Sequence, residues 1–109
     1  MEPIKNVLRE QNDAELLGAY VATKDEDVFS ELFKRHGSMV YRICCRVLNN
    51  EAEAEDASQA TFIMLVKKAH AFRSKKDLAP YLHEVARKIS LCALRERIHR
   101  KKREEAVAQ

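Results

Sequence analysis

The sequence predicts an all-α protein, built as a compact bundle of four to five helices. The 109 residues include only two Gly and two Pro, and no stretch shows the two-residue alternation of a half-buried strand. Apolar residues instead recur at intervals of three and four, the spacing that places them on one face of a helix. At this length we expect one domain that buries about 60–65% of its unfolded surface.

The first helices are predicted from capping residues and apolar spacing. Residues 1–12 have no clear apolar stripe and are predicted as a flexible lead. Asp13 is predicted to cap a short helix, and Asp25 a second one. Gly37 marks a stop or a kink, after which the apolar pattern resumes as far as Leu48. The apolar sides of these helices are predicted to hold Leu16, Leu17, Tyr20, Val21, Val28, Phe29, Leu32, Phe33, Met39, Val40, Ile43, Cys44 and Val47.

A helix from about residue 51 to residue 70 is predicted as the centre of the bundle. Asn50 can cap it, and Glu53 stands three residues later, as in a capping box. Acids are concentrated in the first two turns, where they suit the positive end of the helix dipole. One face is predicted as core and carries Ala54, Ala57, Thr61, Met64 and Leu65.

A second apolar face of this helix has two explanations. Phe62, Ile63 and Val66 lie on it, below a polar rim that includes Asp56 and Gln59. The face is either buried as well, because the helix is central, or it is an apolar surface kept for a partner. Composition alone favours burial.

A basic loop and a long helix follow. Residues 70–77 are polar and basic, and Asp77 can cap a last helix that ends near residue 99. The buried side of this helix is predicted to hold Leu78, Leu82, Val85 and Ile89. Residues 100–109 have too little apolar surface to dock firmly and are predicted as a charged, linker-like tail.

Charge is distributed unevenly along the chain. Residues 1–66 carry seven basic and twelve acidic side chains, whereas residues 67–103 carry thirteen basic and three acidic ones. A strongly basic segment on an otherwise acidic domain is typical of a protein that binds a polyanion. The alternative is that these charges are only solvated on helix surfaces.

The sequence contains no catalytic or metal-binding motif. Cys44, Cys45 and Cys92 lack the spacing of zinc ligands or of a disulfide framework, so we predict them as small core residues. The four histidines are far apart in sequence and are predicted at the surface or at helix ends. We therefore expect no enzymatic activity, no metal and no cofactor. Without a signal-peptide pattern or an apolar run of about 20 residues, we expect a cytoplasmic protein with no membrane span.

The order of these segments resembles region 2 of the sigma-70 family of bacterial transcription initiation factors, specifically its extracytoplasmic-function (ECF) group. The matching segments are AELLGAYVATKDEDVFSELFKRHGSMVYRICCRVL, EDASQATF, AFRSKKD and PYLHEVARKIS. The resemblance covers about residues 13–103. It implies a region 2 domain at residues 13–99 that binds core RNA polymerase and recognises and melts the minus-ten promoter element.

The resemblance also implies which residues act. The surface that docks on the clamp helices of the polymerase β′ subunit would contain Asp56, Gln59, Phe62, Ile63 and Val66. The following loop and helix would bind the non-template strand of the minus-ten element, with one base extruded into a pocket. The DNA-binding residues implied in this way are Phe72, Arg73, Ser74, Lys75, Lys76, Asp77, Tyr81, Arg87, Lys88 and Arg95.

Other partners and other classes follow from the same residues. The resemblance implies an anti-sigma factor as a regulatory partner, and it finds no counterpart here for region 4, the family's second DNA-binding domain. A helical adaptor that binds only protein would use the second face of the central helix, but it would give the basic segment no role. A nucleic-acid-binding bundle unrelated to polymerase would use the basic segment, but it would give the second face no role.

Overall fold

The computed structural model of the protein describes residues 3–72 and 74–108. Within them, the helices in chain order are α1 (Pro3–Glu10), α2 (Asp13–Thr23), α3 (Glu26–Leu48), α4 (Glu51–Lys67), α5 (Ala69–Phe72) and α6 (Ala79–Ala108). The predicted all-α class is confirmed. None of the helices in the described ranges combines the length and the apolar content that crossing a bilayer requires.

Two of the predicted helix caps are present as expected. The Asp25 side chain accepts a hydrogen bond from the Asp27 amide at 2.9 Å and starts α3. The Asn50 side chain accepts one from the Glu53 amide at 2.9 Å and starts α4. Each side chain satisfies an amide that the helix itself leaves unpaired.

The start of α2 differs from the prediction. Its cap is Asn12, which forms a capping box with Glu15 through two hydrogen bonds of 2.9 Å. Asp13, predicted as the cap, is instead the first residue of the helix and is only 4% exposed. The capping prediction for Asp13 is therefore wrong by one residue, and its carboxylate has other partners.

Gly37 does not stop the helix in which it lies. Helix α3 continues through it from Glu26 to Leu48. A Cβ atom at this position would lie 3.1 Å from the ring of Phe33, so the ring would have to shift slightly to admit it. One long helix therefore replaces the two that the sequence predicts.

The bundle is centred on α3 rather than on α4. Helix α3 packs against α1, α2, α4 and α6, whereas α4 packs mainly against α3 and α6. The fully buried side chains at these contacts include Leu16, Leu17, Leu32, Val40, Leu48, Leu65, Leu78 and Leu82. Because α4 lies to one side, part of its second face is left uncovered.

Both ends of the chain are helical where the structure describes them. Residues 3–10, within the segment predicted as a flexible lead, form α1, and Leu8 in this helix is buried. At the other end α6 continues through the predicted tail to Ala108 and is about 45 Å long at 1.5 Å per residue. The molecule accordingly measures 63 × 29 × 22 Å, with the exposed end of α6 extending beyond the bundle.

Arg97 attaches α6 to the junction between α3 and α4. Its guanidinium donates to the Leu48 carbonyl and to the Glu53 carboxylate, both at 3.0 Å. The Leu48 carbonyl lies at the end of α3, where helical carbonyls lack an internal partner. This contact fixes the start of α4 against α6 and so helps to orient the surface of α4.

Candidate functional site

An aromatic groove opens between α2, α3 and α4. It encloses about 500 Å³ and is lined by Tyr20, Phe29, Phe33, Gln59, Phe62, Ile63, Val66 and Lys67. Two large apolar side chains at its surface are unusually exposed, Phe33 at 49% and Ile63 at 56%. An apolar groove with exposed aromatic and aliphatic side chains is typical of a site that binds another protein.

The floor of the groove is a packed cluster of rings around Phe62. The ring of Phe62 lies 5.1 Å from that of Phe33 and 6.1 Å from that of Phe29, measured between centroids. Tyr20 extends the cluster, with its ring 5.4 Å from that of Phe29. These separations are those of favourable aromatic pairs, so the groove is preformed.

The residues predicted for docking differ in their exposure to solvent. Asp56, Gln59 and Ile63 are exposed and Val66 is half-buried. Phe62 does not lie on the exposed face where the resemblance places it, because only 3% of it is accessible. Both explanations of the second face thus apply in part, since Phe62 is core and Ile63 is surface.

The contribution of α2 and α3 to this groove is not among the predictions from the sequence. Tyr20, Phe29 and Phe33 were assigned to the apolar sides of their own helices, yet they form one wall of the groove. A signal was available in the sequence, because Phe29 and Phe33 are four residues apart and their helix has more apolar residues than one narrow stripe needs.

A second candidate surface begins at the loop between α5 and α6. Ser74, Lys75, Lys76 and Asp77 are all exposed there. The Asp77 side chain accepts a hydrogen bond from the Ala79 amide at 3.0 Å. Because α6 begins at Ala79, Asp77 lies one residue before the cap position, so the capping prediction is off by one residue. Arg73, also predicted to bind DNA, lies outside the described residues.

Phe72 and Tyr81 stand on either side of this loop and stack on each other. Their ring centroids are 3.4 Å apart and the ring planes are inclined by 31°. Both rings are half-buried, and burial raises the pKa of the Tyr81 hydroxyl. The pair closes the junction between α5 and α6, and an incoming base would have to stack on an outer ring face or separate the rings.

The loop is attached to the start of α2 by Asp13. The Leu78 amide donates to Asp13 Oδ2 at 2.7 Å, and the Asp13 amide donates to the Lys76 carbonyl at 3.1 Å. On the other side, His36 Nε2 lies 2.8 Å from Asp13 Oδ2 and Arg35 donates to Asp13 Oδ1 at 3.2 Å. We call residues 74–78, held in this way, the anchored loop.

These contacts stabilise the charged form of Asp13. Burial by itself would raise the pKa of the carboxyl, but hydrogen bonds from His36 and the Leu78 amide, together with Arg35, outweigh it and lower the pKa below its ordinary value. Arg35 also donates to the Leu8 and Arg9 carbonyls at 2.9 and 3.2 Å. Asp13 is thus part of a polar cluster that joins α1, α2 and α3 to the loop.

His36 is buried in this cluster, so the prediction that it lies at the surface or at a helix end is wrong. Asp13, His36 and Asp77 offer atoms within 4.8 Å of one another, a spacing that a metal ion could use. Both Asp13 oxygens already accept hydrogen bonds, however, and the Arg35 guanidinium beside them disfavours a second cation. We interpret the group as a hydrogen-bonded cluster.

The first half of α6 continues the basic surface. Tyr81, Lys88 and Arg95 recur every seven residues, so they lie on nearly the same side of the helix over about 21 Å. Arg87 makes a bidentate pair with Glu84, at 2.7 and 3.3 Å, and this hydrogen bonding lowers the pKa of Glu84. Glu84 therefore competes with any phosphate for Arg87, and less strongly for Lys88 at 3.9 Å.

A family model described as Sigma-70 region 2 matches residues 32–100, which include most of α3 and all of α4 and α5. The chain belongs to the sigma-70 region 2 family. The match also covers the anchored loop and most of α6, so both candidate surfaces lie largely within it. This family assignment favours a transcription initiation domain over the unrelated adaptor or nucleic-acid-binding bundle.

Named relatives place the chain near the ECF group of sigma factors, as the resemblance predicted. It is 33% identical over 86 residues to the ECF RNA polymerase sigma factor SigM of Mycobacterium tuberculosis, covering 79% of this chain and 43% of that protein. It is 32% identical over 74 residues to the RNA polymerase sigma factor CarQ of Myxococcus xanthus, covering 68% and 42%. It is 28% identical over 73 residues to the ECF RNA polymerase sigma factor SigW of Bacillus subtilis, covering 67% and 39%.

The matched part of the chain spans about two fifths of the length of these curated relatives. No solved structure matches the chain at a significant level. The sigma-70 region 2 assignment therefore concerns this domain, and the properties of a whole sigma factor remain to be proposed.

Proposed function

We propose that this region 2 domain binds core RNA polymerase through the aromatic groove and recognises and melts the minus-ten promoter element with the anchored loop and α6. The observation that carries the proposal is the family match over residues 32–100, combined with two chemically different surfaces within one bundle. One surface is apolar and suits a protein, whereas the other is basic and aromatic and suits a nucleic acid.

The polymerase would dock on the groove and on its polar edge. Ile63 and Phe33 present exposed apolar area, and Gln59 and Asp56 offer hydrogen-bonding groups one to two turns earlier on α4. Phe62 supports the site from below by holding the Phe33 ring. Apolar anchors surrounded by polar groups are the usual composition of a protein interface. The β′ clamp helices are the partner that the family resemblance implies for this surface.

Promoter DNA would bind on the other surface, on the non-template strand. Lys75 and Lys76 are exposed in the anchored loop, and Lys88 and Arg95 continue along α6. Phosphate contacts of this kind supply affinity, whereas stacking of an extruded base supplies about 1–3 kcal/mol per base. Extruding a base costs a few kcal/mol, so the aromatic pair of Phe72 and Tyr81 needs the cations and the polymerase to make melting favourable.

A binding assay with two matched variants tests the docking surface. Ile63→Ser places a polar side chain in the groove, and Val107→Ser makes the same kind of change on the exposed end of α6, where Val107 is 87% accessible. We expect Ile63→Ser to weaken binding to core polymerase by about tenfold, as loss of an interface anchor does, and Val107→Ser to leave it unchanged. Equal affinity of the two variants would contradict docking on the groove.

A competition among single strands tests promoter reading. Wild-type protein in complex with core polymerase should prefer a non-template minus-ten strand over strands that differ only at the extruded base. No preference at any position would contradict minus-ten recognition by this domain. An anti-sigma factor, the regulatory partner implied by the resemblance, would have to cover one of these two surfaces to silence the domain.

A further inference from the structure

Besides the buried Leu78 side chain, the anchored loop has an attachment that its own sequence does not explain. Residues 74–78 are mostly exposed and polar, and such a segment would ordinarily be mobile in solution. Two hydrogen bonds nevertheless tie it to a residue more than 60 positions earlier, through the Leu78 amide and the Lys76 carbonyl. Both bonds go to Asp13.

Asp13 is itself held firmly by neighbouring helices. Its side chain is 5% exposed, and it receives Arg35 on one oxygen and His36 on the other. A charged group is buried only where such partners compensate for the loss of water. The cost of placing a carboxylate here indicates that its position matters to something beyond helix packing.

We propose that Asp13 is a positioning residue for promoter recognition: its carboxylate and its backbone amide hold residues 76–78 in place, so that the loop is ordered before DNA arrives. This inference rests on the proposed function of the loop. A preformed loop binds more tightly than a disordered one, because less conformational entropy is lost on binding. Asp13 contributes to DNA affinity through the loop, without touching DNA.

Arg35 and His36 contribute to the position of the loop indirectly, through their contacts with Asp13. They fix the orientation of the Asp13 carboxylate, and Arg35 also donates to the Leu8 and Arg9 carbonyls at the end of α1. Glu31 provides a matched control, because it pairs with the same Arg35 at 2.9 Å without contacting the loop. A general effect of losing an ion pair would appear in both variants, whereas a positioning effect would appear only at Asp13.

The test compares Asp13→Ala, Asp13→Asn and Glu31→Gln as complexes of the 109-residue chain with core polymerase. We expect Asp13→Ala to lower affinity for the minus-ten single strand by about five- to tenfold, while polymerase affinity stays within about twofold. Asp13→Asn should recover part of the loss, because its carbonyl oxygen can still accept from the Leu78 amide. Glu31→Gln should behave like wild type. A merely structural role would weaken polymerase binding and DNA binding together.

Amide hydrogen exchange gives a second readout that needs no DNA. The Leu78 amide should exchange at least about tenfold faster in Asp13→Ala than in wild type, since its acceptor is lost. The Leu82 amide, bonded to the Leu78 carbonyl at 2.8 Å across the first turn of α6, reports whether the start of the helix has opened. If Asp13→Ala does not fold, Asp13→Asn is compared with wild type in the same two assays.

The outcomes separate this proposal from the function on which it rests. A folded Asp13→Ala variant with wild-type strand preference and wild-type Leu78 exchange overturns the positioning role. If wild type itself shows no strand preference, promoter reading by the loop fails, and the proposed role of Asp13 in recognition fails with it. The exchange rate of the Leu78 amide would then test separately whether Asp13 holds the loop. A rate unchanged in Asp13→Ala would show that it does not.

Discussion

The aromatic groove and the anchored loop lie on the same bundle, but different forces hold them. The groove is formed by side chains that pack across three helices, with Phe62 almost fully buried beneath Phe33 and Phe29. Residues 74–77 of the loop are exposed, and the loop is held by the buried Leu78 side chain and by two hydrogen bonds with Asp13. The first site is part of the core, whereas the second is attached to it.

This difference predicts different consequences of mutation. A change at the groove floor removes buried apolar contacts and should therefore lower global stability. A change at the loop anchor frees a short segment and should alter local order and its pH dependence more than the packing of the bundle. The protein-binding and nucleic-acid-binding surfaces can thus be perturbed separately.

The largest effect is expected at Phe62. Because this side chain is 3% exposed, Phe62→Ala should lower the free energy of unfolding by about 3–5 kcal/mol. Ile63→Ala, one residue later but 56% exposed, should change it by less than about 1 kcal/mol. Urea unfolding of both variants measures these free energies. Similar losses of stability for the two would show that the groove is not divided into floor and surface.

Loss of the Asp13 carboxylate should have a pH-dependent effect of intermediate size on the free energy of unfolding. Asp13 has a lowered pKa in the folded state, so its stabilising contribution is full above the ordinary value of 3.8 and is lost as the pH falls through the lowered folded value. At neutral pH, Asp13→Asn should cost about 1–3 kcal/mol, the usual penalty for disrupting a buried hydrogen-bonded group. The difference from wild type in urea unfolding should shrink as the pH falls below 3.8.

Glu31→Gln is the control for that measurement, since it also removes a carboxylate paired with Arg35. Its difference from wild type should be smaller than that of Asp13→Asn, because no loop amide loses its acceptor. If the difference between wild type and Asp13→Asn stays constant at all pH values, the Asp13 carboxylate is not the group that stabilises the anchor.

The sequence predicted the parts of this structure that depend on local pattern. The all-helical class, the caps at Asp25 and Asn50, and most of the core follow from apolar spacing and from residues that satisfy free helix amides. Gly37 suggested a stop because glycine is unfavourable within a helix, whereas α3 runs through it with the Phe33 ring close by. Pattern alone could not distinguish a break from a close contact.

The sites depended on contacts that no local pattern contains. The groove needs Phe33 of α3 to meet Phe62 of α4, and the anchor needs Asp13 to meet the Leu78 amide 65 residues later. The family resemblance supplied residues on α4 and in the loop, but it did not supply Asp13 or the aromatic residues of α2 and α3. Helical spacing says which residues share a face and leaves open which faces meet.

Salt dependence should rank the cations of the basic surface. In binding to single-stranded DNA, Lys76→Ala should reduce the slope of log affinity against log salt by about 0.7 unit, the value for one phosphate contact. Arg87→Ala should reduce it less, because Glu84 already holds that guanidinium. Glu84→Gln should raise affinity at low salt by releasing Arg87. Equal slopes for the Lys76 and Arg87 variants would show that the pair with Glu84 opens freely on binding.

The smallest change in stability is expected at Gly37, where a single methyl group tests the shape of the groove. Alanine is favoured over glycine in a helix by up to about 1 kcal/mol, but here its Cβ would meet the Phe33 ring at 3.1 to 3.3 Å. Since Phe33 is 49% exposed, the ring can swing outward, so stability should change by less than about 1 kcal/mol. The displaced ring should still weaken polymerase binding by about fivefold, as expected when an interface anchor loses its fit.

Gly18→Ala is the matched control, because a Cβ atom at that position in α2 has nothing within 4 Å. It should gain about 0.5–1 kcal/mol of stability and leave polymerase affinity unchanged. Thermal unfolding and polymerase binding, measured on both variants, separate the helix-propensity gain from the ring displacement. If Gly37→Ala binds polymerase as well as Gly18→Ala does, the Phe33 ring is not part of the docking surface. The contacts would then be confined to α4, and the wall contributed by α3 would serve only the fold.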